Sequence, residues 1–141
     1  MNNVKLSPAN IVILAAGVVM LIGSFLDFYE VDGFGGSFGF NAWDSDAFFP
    51  VTFIPVLCGV AMALHVALTT FAKVQLPERV LGMGWNQIHI ALGFQAAIMM
   101  IAFLIHDKGP LDIAIGFWLM LLAGIALLVG AVMREREPAA A

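Results

Sequence analysis

Four stretches of this chain carry no formally charged side chain: Leu6–Leu26, Ala47–Ala72, Val80–His106 and Ile113–Met133, of 21, 26, 27 and 21 residues. A helix rises about 1.5 Å per residue, so about 20 apolar residues cross a hydrocarbon core about 30 Å thick. Each stretch is long enough. The sequence is 62% hydrophobic and 11% charged, which leaves too little polar surface for a soluble domain of 141 residues. The expected fold is an all-α membrane protein: a four-transmembrane-helix up-down bundle with spans near 8–27, 49–71, 84–105 and 112–133. The whole chain, 1–141, reads as one integral membrane domain, with 134–141 as a short cytoplasmic tail.

The ends of the stretches carry helix punctuation. Ser7-Pro8 fits an N-cap followed by proline at the first helical position. Lys108-Gly109-Pro110 fits a last-turn cation, a C-terminal glycine and a stop. Pro50 falls in a first turn, and Pro55 deeper, where it could kink the second span and neighbouring helices would tolerate it. Lys5, Lys73, Arg79, Arg134 and Arg136 fall on one side if the spans alternate, against Lys108 alone on the other. The positive-inside rule then places both termini and the 72–83 loop in the cytoplasm of a plasma or inner membrane. One Lys ahead of span one, with no clear small-x-small cleavage site, favours a retained helix over a cleaved leader.

The polar stretch is 25–50, FLDFYEVDGFGGSFGFNAWDSDAFFP, with five acids and no Lys or Arg. Its glycines do not make a nucleotide loop. Gly33, Gly35 and Gly39 give G-x-G-x-x-x-G without a βαβ unit, no P-loop Lys is present, and the acids repel phosphate. Partial alternation over 37–43, aromatics over 28–34 and the glycines at 35 and 36 fit a short β-hairpin, extracytoplasmic and capping the helix ends. Asp44 and Asp46 are the candidate metal ligands, hard oxygens suited to Ca²⁺ or Mg²⁺, although the spacing misses the EF-hand pattern. "GSFLDFYEV", a Gly-rich loop and "FNAWD" together resemble small four-helix membrane proteins of actinobacteria that read FLxWY…NAWD here. The resemblance covers roughly residues 20–50 and implies the four-span topology and no activity. A claudin-like loop, W…GLW…C…C, does not match, because this loop has one Trp and no Cys.

No Asp, Glu, Lys or Arg lies deep in a span, which argues against an ion-coupled transporter. His65 and His89 are embedded about 7–11 Å from the cytoplasmic boundary on neighbouring antiparallel spans, so their rings can meet. Interhelical hydrogen bonding is the plainer role for them. The sharper one is cofactor binding, as a bis-His haem or a copper site. Cys58, Met62, His65 and Thr69 share one helical stripe with soft ligands in it. Asn86 lies one turn from His89, and Gln95 near the middle of span three. Gly116, Ala123 and Gly130 recur at intervals of seven, with Gly124 and Ala131 alongside. Gly93, Ala96 and Ala97 cluster near His89. Such small residues let helices approach closely in lipid.

The net charge of −4 argues against a nucleic-acid partner, which would demand a basic patch on the protein, and no nucleotide is expected. The lone Cys58 makes no intramolecular disulfide. No nucleophile–base pair is apparent and no resident cofactor is expected. The expected partners are the lipid bilayer and either another membrane protein or further copies of the chain. The reading is an accessory or structural partner of a membrane complex. The alternatives are a small haem- or copper-linked redox protein using His65 and His89, and a pore, holin-like or transport protein.

Overall fold

The Ser7 side chain starts the first helix as its chemistry requires, accepting a hydrogen bond from the Asn10 N–H at 3.2 Å, with Pro8 in the first turn. The computed structural model describes residues 6–33, 36–44, 52–106 and 112–137. It is mostly helical, with α1 at Pro8–Phe25, α2 at Ile54–Thr70, α3 at Trp85–Ile105 and α4 at Ile115–Arg136. α1, α3 and α4 are long and apolar enough to cross a membrane, while α2 is shorter, at 17 residues.

Two boundaries differ from expectation. α2 starts at Ile54, which puts Pro55 in the first turn, where its missing N–H costs little; the expected kink has no place there. α4 starts at Ile115 because Asp112–Ile113 is drawn into a short strand, and it runs on through Arg134 and Arg136. Charged residues end an apolar stretch but are good helix formers, so charge marked the edge of hydropathy and not the edge of the helix. Pro50, Asp46 and Lys108-Gly109-Pro110 lie outside the described residues.

Short strands sit at both ends of the helices. β1 (Tyr29–Gly33) pairs antiparallel with β2 (Gly36–Phe40), Tyr29 opposite Phe40. β5 (Asp112–Ile113) adds to the other edge of β1, giving the order β2-β1-β5. At the opposite end, β3 (Arg79–Val80) and β4 (Met83–Gly84) form a two-stranded hairpin. Its turn residues Leu81 and Gly82 have φ of 54° and 81°, the left-handed geometry that a two-residue hairpin turn uses.

The helices contact one another in a ring: α1 with α2, α2 with α3, α3 with α4, and α4 with α1. Small residues set the spacing. A Cβ on Gly17 would stand 2.6 Å from that of Ala63, and one on Gly130 would stand 2.8 Å from Ile13 Cγ1. Gly116 and Gly130 both face α1, whereas Gly124 faces Ala96 on α3. The small residues of α4 therefore serve two neighbours. Each helix sends one fully buried methionine into the core (Met20, Met62, Met100 and Met120), where an unbranched thioether fills irregular space.

Polarity is inverted relative to a soluble protein. Ile22, Leu64, Phe94, Ile105, Leu122 and Val129 are exposed, while Ser24, Thr52, His65 and His89 are buried. That arrangement suits a solvent that cannot hydrogen-bond, in which apolar groups face out and polar groups must satisfy one another.

Candidate functional site

Two polar assemblies lie at opposite ends of the helices. The first is built on α2 and α3. His65 and His89 are separated by 24 positions in sequence, yet His89 Nε2 and His65 Nδ1 stand 2.8 Å apart in a direct hydrogen bond. Both side chains are buried, His89 at 1% exposure. The Trp85 ring stacks on His65 with centroids 4.0 Å apart and planes 18° from parallel. Trp85 Nε1 donates to the Pro77 carbonyl at 2.7 Å, which ties the preceding loop to the start of α3. The Thr69 hydroxyl donates back to the His65 carbonyl at 2.9 Å.

Only one of the two facing nitrogens carries a proton, since a hydrogen bond needs a donor and an acceptor. His89 Nδ1 is buried with no partner among the described residues. An orphaned donor is costlier than an orphaned acceptor in such a place. This favours the tautomer in which His89 Nε2–H donates to His65 Nδ1, leaving His89 Nδ1 as a bare lone pair.

Beside the pair, α4 sends Arg134 inward. Arg134 Nε donates to Asn86 Oδ1 at 2.8 Å and Arg134 Nη1 to Asn10 Oδ1 at 2.6 Å, so one guanidinium joins α1, α3 and α4. The Glu137 carboxylate accepts from the Ala9 N–H at 3.0 Å, satisfying an orphan donor of the first turn of α1 at its positive end. The sequence reading singled out His65, His89 and Asn86 but treated Arg134 only as a marker of membrane side and passed over Asn10. Their signal was depth: Asn10, Asn86 and Arg134 all lie within a turn of helix ends on the same side.

The geometry limits what the histidines can ligate. A metal held by both would sit about 2.0–2.1 Å from each nitrogen, which sets tetrahedral nitrogens about 3.3 Å apart. At 2.8 Å the two nitrogens face each other with a proton between them, so a shared ion requires the rings to part. Cys58 and Met62 are buried in the core, and the Thr69 hydroxyl is turned to its own helix. Among the described residues no group of three or more His, Cys, Asp or Glu side chains could hold a metal ion.

The second assembly is the cap around "NAWD". Asn41 Oδ1 accepts from the Trp43 N–H at 2.9 Å, and Asp44 Oδ2 accepts from the Asn41 N–H at 2.9 Å. Both are local turns made by short polar side chains. Trp43 Nε1 donates to Ser24 Oγ at 2.9 Å, and the indole stacks on Phe25 and Phe53, with centroids 5.9 and 6.1 Å away. Thr52 Oγ1 donates to the Ala42 carbonyl at 2.7 Å. The motif thereby fastens the end of α1 to the start of α2. Asp44 is exposed with one carboxylate oxygen engaged in its own turn, and its expected co-ligand Asp46 lies outside the described residues. Tyr29, buried in the adjoining strand, has its phenol pushed above the ordinary range by that burial.

No family model matches the chain, and neither does any curated protein or solved structure.

Proposed function

We propose that this chain is a four-span, multi-pass protein of the plasma or inner membrane, of the kind seen in small actinobacterial four-helix membrane proteins. Both termini and the β3–β4 hairpin are cytoplasmic, and the β1–β2 hairpin is extracytoplasmic. Its role is that of an accessory or structural partner in a membrane complex, working through its surface and not through bond chemistry. The observation that carries this is the inward closure of its polar groups: His65 on His89, Arg134 on Asn86 and Asn10, and Trp43 on Ser24. Groups used to hold helices together are unavailable to a substrate, whereas large apolar side chains are exposed on the outward face of every helix.

The first test is topology. In a Cys58→Ala background, a cysteine at Gly36 is labelled by an impermeant reagent from outside, and one at Gln75 only after the membrane is opened. Both positions are exposed. The opposite pattern inverts the orientation. The second test is purification from native membranes, with another membrane protein or further copies retained. The buried lone pair on His89 Nδ1 favours one rival, a redox protein using His65 and His89. A Soret band, or stoichiometric copper, in protein from native membranes would establish that rival and remove the accessory reading.

A further inference from the structure

Gln95 lies at the centre of the 21-residue α3, ten residues from either end. Its side chain is exposed on the outer face of the helix. It makes no hydrogen bond among the described residues. The other polar side chains of the four helices are inward, as His65 and His89 are, or lie near helix ends, as Asn10, Ser24, Thr69, Asn86 and Arg134 do. Gln95 alone presents an amide at mid-depth on the outside, and a primary amide there has no water to bond.

We propose that the outer face of α3 is a homodimer interface closed by a Gln95–Gln95 amide pair. This rests on the membrane-spanning reading above and names the partner at one face. Two copies inserted with the same orientation are related by an axis along the membrane normal, so each residue meets its partner at its own depth. The one polar side chain exposed at mid-depth among the described residues then finds, in a second copy, a group at the same depth able to satisfy it. The pairing is self-complementary. One Nε2–H of each amide donates to Oε1 of the other, so two hydrogen bonds form where a lone copy has none. The flanking residues permit the approach. Ala91 and Ala102, one and two turns away on the same exposed face, are small, and Phe94 and Ile98, 53% and 46% exposed, supply apolar contact. A heterologous helix would have to bring its own polar group to this depth; a second copy brings it by construction.

The test is crosslinking in native membranes, in the Cys58→Ala background, with single cysteines at Ala91, Ile98 or Ala102 of α3 and controls at Ile22 of α1 and Leu57 of α2. The expected result is an oxidised dimer from the α3 positions and none from the controls. Gln95→Leu weakens association by about 3- to 30-fold, the range for one to a few interhelical hydrogen bonds in a membrane. Leucine is at home in lipid, so the monomer's melting temperature holds or rises in this variant, and lost crosslinking is not lost folding. Equal crosslinking from control positions, undiminished dimer in Gln95→Leu, or α3 cysteines captured by a protein of different mass would each overturn the proposal. The last result leaves the accessory reading standing. An inverted or absent membrane topology removes both.

Discussion

The two ends of the helices are fastened by different means. At the cap end, bonds between residues close in sequence and backbone ladders share the work with a few long-range contacts. Asn41, Trp43 and Asp44 bond within one turn, and the strands hold by backbone ladders. At the histidine end, the side-chain bonds that join one helix to another connect distant residues: His65 to His89, Arg134 to Asn86 and Asn10, Glu137 to Ala9. The cap end is thus redundant, with backbone, indole and stacking contacts in parallel, whereas the other end hangs on a few side chains. Losing one local bond at the cap leaves its neighbours in place; losing one distant bond leaves its partner buried and unpaired, which is the costlier event.

The largest expected effect breaks that rule by attacking backbone at the cap end. Gly116 donates its N–H to the Asp27 carbonyl at 2.8 Å, and a Cβ there would stand 2.7–2.8 Å from the carbonyl oxygens of Asp27, Gly23 and Leu26. None of these oxygens can move without shifting α1. Gly116→Ala is expected to cost about 3 kcal/mol or more, above the usual overpacking range, read as thermal unfolding in detergent. Gly36→Ala, with nothing within 4 Å of the added carbon, is the control and leaves stability unchanged.

Next comes Arg134→Met, which strands two asparagines at the histidine end and is expected to cost about 1.5–3 kcal/mol. Arg134→Lys recovers little, since a point ammonium does not reproduce a fork reaching two helices. If Arg134→Met proves neutral, the distant end is not the fragile one. Trp43→Ala removes the indole hydrogen bond and both stacking contacts but acts at the redundant end on a side chain 38% exposed. About 1–2 kcal/mol is expected, with Trp43→Phe keeping part of it. For the imidazole pair, a double-mutant cycle with His65→Phe and His89→Leu is expected to give a coupling of about 1 kcal/mol. A coupling near zero would mean that the hydrogen bond does not hold α2 to α3. Smallest is Asp44→Asn, which keeps an acceptor for the Asn41 N–H and should shift stability by less than about 0.5 kcal/mol. Added Ca²⁺ is expected to leave both proteins alike. A Ca²⁺-dependent rise in melting temperature that Asp44→Asn abolishes would show an oxygen-ligand site at the cap.

The sequence was most informative where the chemistry is local. Ser7-Pro8 capped a helix as read, because capping depends on residues three apart. The glycine stripe of α4 signalled close packing, but periodicity could not show that Gly116 and Gly130 face α1 while Gly124 faces α3. The start of α2 was misjudged because it depends on Thr52 reaching Ala42 and on Trp43 stacking against Phe53, which are tertiary facts. His65 and His89 could be matched by depth alone, since antiparallel neighbours bring equal depths together. Arg134 could not be found by counting charges: its position made it look like a solvated flank, and its inward turn depends on Asn10 and Asn86 waiting on two other helices.

The seam between α1 and α4 joins the first and last of the four described helices along nearly its whole length, from Gly116 against Gly23 and Asp27 to Arg134 and Glu137 at Asn10 and Ala9. During synthesis α1 enters the bilayer long before α4 leaves the ribosome. Asn10 and the close-packing face of Gly23 must wait there without their α4 neighbours. This bundle therefore closes only once α4 has been translated. A message cut short ahead of residue 115 would yield three helices with an unsealed side, a form that membrane quality-control proteases could recognise by the polar groups it leaves facing lipid.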